Sequence, residues 1–148
     1  MAIHFFSEDI DFNLPKKNLT KRWLREIAKN EGFQITDLNY IFCTDEYLHK
    51  INLDYLDHDT YTDIITFDNS ESENIIEGDI FISIDRVKEN ANNQDQKFDT
   101  ELNRVISHGL LHLCGYKDKN KEEAEMMREK ENQSISYLTE ITVDKENN

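Results

Sequence analysis

"HGLLHLCGYKD", His108 to Asp118, sets two of the chain's five histidines four residues apart and closes with Gly115 and a carboxylate. Just upstream, Leu102, Val105, Ile106, Leu110 and Leu113 recur at helical spacing. The pattern therefore predicts a helix over Asp99–Leu113, stopped where Gly115 can take the left-handed conformation. On a helix, residues i and i+4 lie one above the other, so His108 and His112 aim their imidazoles at one point. The stretch thus reads as the end of an apolar, central helix that carries a ligand-type pair.

Outward from this helix the chain mixes strands and helices. "IHFFSED" (Ile3–Asp9) reads as a short strand, and Leu19, Trp23, Leu24, Ile27 and Ala28 mark an amphipathic helix ending near Gly32. Gln34–Thr44 is rich in β-branched and aromatic residues and reads as a strand, followed by a helix from Asp45, as N-cap, to about Tyr55. "DIITFD" and "GDIFISI" read as two further strands joined by an exposed loop, "NSESENIIE". Asp85 is then the expected cap of a helix running into the 90s, and Asn120–Leu138 the last helix, with "ITVDKENN" as a solvated tail. Without the regular alternation of a doubly wound sheet, these elements predict an α+β fold: a single mixed β-sheet packed with several helices.

Asp118 lies six residues beyond His112, across the turn at Gly115. The pattern H-G-x-x-H-x-x-G-x-x-D matches the metzincin spacing, with glycine in place of the glutamate and aspartate in place of the third histidine. Three ligands leave one position open, the arrangement of a catalytic zinc, which lowers the pKa of bound water from about 15.7 to about 7. The competing reading is a buried helix whose histidines are hydrogen-bonded core residues. The histidine pair, the turn and the carboxylate together favour a metal held by His108, His112 and Asp118. Gly109, inside the helix, points to close backbone approach or to room beside the site. Cys114 falls on a different helical face from His112 and suits the core.

Composition narrows the partners. The chain has 148 residues, 37% of them hydrophobic, and one proline, which suits one globular domain over 1–148. No run is long and apolar enough for a membrane span, and the start lacks a signal peptide, so a cytoplasmic protein without a membrane partner is expected. Cys43 and Cys114 form no CxxC, which favours reduced thiols. A net charge of −14 argues against binding nucleic acid by bulk electrostatics. Locally, however, Lys16, Lys17, Lys21, Arg22, Arg25 and Lys29 face a single acid, Glu26, so one basic face remains on an acidic protein.

"HGLLHLCGYKD", followed by a Glu- and Met-rich helix, resembles the YbeY family of bacterial rRNA maturation factors, whose signature is H-G-x-L-H-L-x-G-Y-D-H. "INLDYLDHDTYTDIITF" resembles the family's N-x-x-Y-R-x-K-D-x-P-T-D-V-L-S-F segment, and "EGDIFIS" its G-D-I-x-I-S strand. The three motifs occur in the family's order and span Ile51 to Met127. The resemblance implies one α+β domain with one zinc ion (Zn2+) per chain. It implies a single-strand-specific endoribonuclease acting in 16S rRNA 3′-end maturation and ribosome quality control. His108, His112 and Asp118 fall on the family's metal-ligand positions, the third of which is normally histidine. Leu56 stands where the family has arginine, and His58 where it has lysine.

Three functions compete. In a metallo-endoribonuclease, metal-bound water acts on a phosphodiester, His58 is the candidate catalytic side chain, and Lys21, Arg22 and Arg25 are candidates to hold RNA. His58 as a surface residue, and the basic face as merely solvated, are the plainer alternatives. A metalloprotease fits the spacing but lacks a base at Gly109. A ribosome assembly or binding factor, stabilised by its metal, fits the loss of arginine at Leu56. The implied partners are single-stranded rRNA and ribosomal particles; a ribosomal-protein or GTPase partner is compatible with this but not legible in the residues.

Overall fold

The computed structural model describes residues 2–57 and 61–147, with side chains as far as Thr142 in the last helix. Its elements run β1 (Ala2–Glu8), α1 (Lys17–Asn30), β2 (Gln34–Cys43), α2 (Asp45–Leu56), β3 (Ile64–Asp68), β4 (Ile75–Ser83), α3 (Ile84–Asn93), α4 (Phe98–Leu113) and α5 (Lys121–Asn147). The strands form one sheet in the order β1-β2-β4-β3, with β1, β2 and β4 parallel and β3 antiparallel to β4. This is the expected α+β arrangement around a single mixed sheet.

Successive side chains on a strand point to opposite faces, and that alternation sorts the interior into two parts. Leu38, Tyr40, Phe42, Ile76, Ile80 and Ile82 join Trp23 and Leu24 of α1 and Ile106 and Leu110 of α4 in the main core. The residues between them serve the other face: Cys43 and Ile65 pack with Leu48 of α2, flanked by Phe67 and Phe81. Two polar contacts fix the helices on the main face. Tyr40 Oη donates to the Ile106 carbonyl at 2.8 Å, and Trp23 Nε1 donates to the Ser134 carbonyl at 2.7 Å, tying α4 to β2 and α5 to α1.

Gly109 lets α4 approach the sheet. A Cβ there would sit 2.9 Å from Ile64 Cδ1 and 3.0 Å from Ile80 Cγ2, so position 109 faces the sheet. Of the two expectations for this glycine, close approach is the one realised. Gly78 plays the same part within the sheet, where a Cβ would overlap the Phe67 carbonyl oxygen.

Four boundaries differ from the sequence reading. The cap of α2 is Thr44, whose hydroxyl accepts from Tyr47 N, and the cap of α3 is Ser83, whose hydroxyl accepts from Arg86 N. Each strand passes straight into its helix at a hydroxyl residue, leaving Asp45 and Asp85 in the first turn, where the carboxylates favour the helix N-terminus. Asp85 instead accepts from Asp45 N at 2.9 Å, and Asp45 pairs with Arg86. β4 begins at Ile75, inside the expected loop, because β2 runs far enough for Gln34 and Ile35 to pair with Ile75 and Ile76. The "ITVDKENN" segment is helical to Asn147 and buries Ile141, which packs into the main core.

Candidate metal centre

α4 ends in a Schellman turn that builds the site. Tyr116 N donates to the Leu111 carbonyl and Gly115 N to the His112 carbonyl, while Gly115 takes φ +103°, a conformation that suits glycine. The reversal brings Asp118 back over the last turn of the helix. Asp118 Oδ2 then lies 3.3 Å from His108 Nε2 and 3.5 Å from His112 Nε2. One ligand atom from each residue falls within 4.8 Å of the other two, the spread a single metal ion would span. The structure brings the three sequence-predicted residues together.

The remaining ring nitrogens are already engaged. His112 Nδ1 lies 2.9 Å from the Tyr116 carbonyl, which can only accept, so Nδ1 carries the proton and Nε2 presents its lone pair. His108 Nδ1 lies 2.6 Å from Glu131 Oε2 on α5, which imposes the same tautomer on the neutral ring. Backbone carbonyls and carboxylates in these positions are the usual supports of metal-binding histidines. The donor set of two imidazoles and a carboxylate suits a divalent transition metal, zinc among them.

Charge is concentrated around the pair. Burial disfavours protonation of His108, but the hydrogen bond and charge of Glu131, with Asp118 and Asp63, outweigh it and hold the His108 pKa above its ordinary value. Burial alone would raise the Glu131 pKa, yet His108 and Arg104 hold it below the usual range. Asp63, Glu101, Arg104, Val105, His108, Asp118, Arg128 and Glu131 line one cleft. Burial first, and then the neighbouring carboxylates, raise the pKa of both Asp63 and Glu101, against the pull of nearby cations.

Other sequence candidates lie elsewhere. Burial above all, with Glu31, pushes the Cys114 thiol up to about 12, and the side chain packs against the main core rather than joining the ligand cluster. Lys21, Arg22 and Arg25 sit on α1, Arg22 and Arg25 exposed and Lys21 half-buried, and none lines the cleft. His58 lies outside the described residues. Leu56 ends α2 and is exposed.

Sequence reading missed Glu131 and the cleft residues around it. Glu101, Arg104 and His108 follow helical spacing along α4, a polar stripe running into the histidines, and that signal was present. Glu131 gave no such signal, because its contact with His108 depends on how α5 packs against α4.

The family model described as Endoribonuclease YbeY matches residues 2–139 of the chain. An Endoribonuclease YbeY from Cytophaga hutchinsonii is 60% identical over 135 residues, 91% of this chain and 94% of the relative. Another, from Christiangramia forsetii, is 53% identical over 136 residues, 92% of this chain and 94% of the relative. A solution structure of a Thermotoga maritima protein superposes with a TM-score of 0.66 at 28% identity, covering 97% of this chain and 93% of that one. With the family model matching nearly the whole chain and relatives 60% and 53% identical over more than nine-tenths of it, the chain belongs to the Endoribonuclease YbeY family.

Proposed function

We propose that the chain is a metal-dependent endoribonuclease specific for single-stranded RNA, working in 16S rRNA 3′-end maturation and ribosome quality control. The observation that carries this reading is the convergence of His108 Nε2, His112 Nε2 and an Asp118 oxygen beside a cleft that His108 and Asp118 line, with both Nδ1 atoms already committed. The curated relatives carry the name Endoribonuclease YbeY, which supports cleavage of RNA. His108, His112 and Asp118 hold one zinc ion, which when bound supplies Lewis acidity and a hydroxide nucleophile at neutral pH. The chain's own part is to orient the ligands: Glu131 and the Tyr116 carbonyl fix the rings, and the Gly115 turn fixes Asp118.

On this reading the protein acts as one domain in the cytoplasm on rRNA within ribosomal particles. Separately, no helix among the described residues is long and apolar enough to cross a membrane. Arg22 and Arg25 on α1 are available to hold RNA backbone away from the chemistry, and His58 remains the candidate catalytic side chain from the sequence. The protease reading, suggested by the metzincin spacing, is weakened further at Gly109, because a side chain at that position would be driven into Ile64 and Ile80. An assembly factor without cleavage is not favoured, since the relatives carry the nuclease name.

The test is cleavage of a labelled single-stranded RNA by purified protein, with metal content measured on the same samples. Cleavage should be lost with a chelator, with His112→Ala and with Asp118→Ala, and zinc should be present at one equivalent. Equal cleavage by the parent and both variants would sink the proposal.

A further inference from the structure

A phosphodiester entering this cleft meets the carboxylates of Asp63, Glu101, Asp118 and Glu131. Binding RNA there calls for a cation with donors to spare, and a guanidinium suits a phosphate because its planar fork can engage two oxygens. Leu56 supplies none on the upstream arm.

Two guanidiniums line the cleft, and they are not equivalent. Arg104 is the less available: its Nη1 donates to Glu131 Oε1 at 3.1 Å and to Asn132 Oδ1 at 3.0 Å, and its side chain is only 21% exposed. Arg128 is 55% exposed, and its one ion pair among the described residues is a 3.5 Å approach of Nη1 to Glu131 Oε1. At that separation the guanidinium is held only loosely. Its other donors make no hydrogen bond among the described residues. Glu131 also links the two functions, since one oxygen faces Arg128 while the other contacts His108.

We propose that Arg128 is the phosphate clamp of this site, binding a backbone phosphate of single-stranded RNA that lies across His108 and Asp118. The assignment rests on the endoribonuclease reading above. Glu131 orients the guanidinium without occupying its whole fork, so phosphate can add to the pair rather than having to displace it.

Arg128→Ala and Arg128→Lys, compared with the parent in single-turnover cleavage of a fluorescein-labelled single-stranded RNA, test the clamp. Metal content is measured in parallel. Affinity for the same RNA is followed against salt in a His112→Ala background, where cleavage is blocked. The alanine variant should cleave about 100-fold more slowly with metal content unchanged, and lysine should recover part of the rate. The slope of log affinity against log salt should fall by about 0.7, the loss of one phosphate contact on a single strand. Cleavage by Arg128→Ala within about threefold of the parent, an unchanged salt slope, or a rate loss that tracks lost metal would each overturn the assignment. A parent that binds but never cuts RNA would instead remove the endoribonuclease reading, while the salt slope would still decide what Arg128 touches.

Discussion

His108 Nδ1 and Glu131 Oε2 lie 2.6 Å apart, joining the ligand helix α4 to α5 through a carboxylate only 7% exposed. The same carboxylate takes Arg104 Nη1 at 3.1 Å, so it serves His108 and a half-buried cation together. Removing it takes the Nδ1 partner from His108 and leaves Arg104 Nη1 with Asn132 Oδ1 alone among the described residues.

Glu131→Gln should therefore lower metal affinity 10- to 100-fold, about the loss expected when a supporting hydrogen bond to a ligand histidine is weakened. Competition with a chromophoric chelator measures this directly. Glu131→Ala should also destabilise the fold by about 3 kcal/mol in urea titration, because Arg104 is left half-buried and unpaired by that carboxylate. An unchanged metal affinity in both variants would show that His108 keeps its orientation without Glu131.

How much of this was legible in the sequence depended on separation along the chain. The His108–Asp118 segment is local: helix period, a glycine stop and a returning carboxylate all lie within one turn and a reversal, so residue order alone brought His108, His112 and Asp118 together. Strand identities were legible for the same reason, from the short apolar runs in "DIITFD" and "GDIFISI" and the polar stretch between them. The start of β4 at Ile75 was not, because it depends on its pairing partner Gln34 in β2, 41 residues away. The tail was misread because its charge masks Ile141, an apolar residue that only the packing of α5 makes a core position. Glu131 and Arg128 belong to that second class, since α5 has to dock before either meets the cleft.

Gly109→Ala sets two magnitudes against each other. Alanine gains about 1 kcal/mol of helix propensity over glycine. The added methyl group would meet Ile64 Cδ1 at 2.9 Å and Ile80 Cγ2 at 3.0 Å. The first neighbour is a flexible chain end, but Ile80 Cγ2 is attached directly to Cβ and cannot swing away alone. Overpacking of this kind costs typically 1–3 kcal/mol. The variant should be less stable than the parent by about 1 kcal/mol in urea denaturation, and Gly109→Glu should fail to fold. A stabilised Gly109→Ala would mean that α4 can shift off the sheet at little cost.

Glu101 gives the pH dependence a definite sign. Burial, and then Asp63, raise its pKa in the folded protein above the ordinary value of about 4.3, although Arg104 and Arg128 pull the other way. The folded state therefore holds this proton more tightly than the unfolded chain does. The resulting stabilisation is fully present below the unfolded pKa and is lost as pH rises through the folded pKa. Glu101→Gln should consequently melt higher than the parent at pH 7, and the gap should close as the pH is lowered toward 4. A gap that stayed constant with pH would assign the change to packing instead.

In the proposed metal site, Asp118 is the residue that would set which metals compete. Its Oδ2 is the single atom facing both Nε2 atoms, at 3.3 and 3.5 Å, and its side chain is 41% exposed, so a larger imidazole has room to replace it. With aspartate the triad carries one negative charge and one hard oxygen donor; with histidine it would be neutral and wholly nitrogenous. Imidazole suits zinc, nickel and copper, whereas carboxylate suits manganese and magnesium. Asp118→His should therefore still bind zinc while losing manganese, raising the zinc-to-manganese affinity ratio by about tenfold or more, and Asp118→Ala should bind both poorly. Competition titrations of the three proteins with each ion provide the check. If the ratio did not move between aspartate and histidine, position 118 would not be a ligand, and the metal would rest on His108 and His112 with a donor from elsewhere in the cleft.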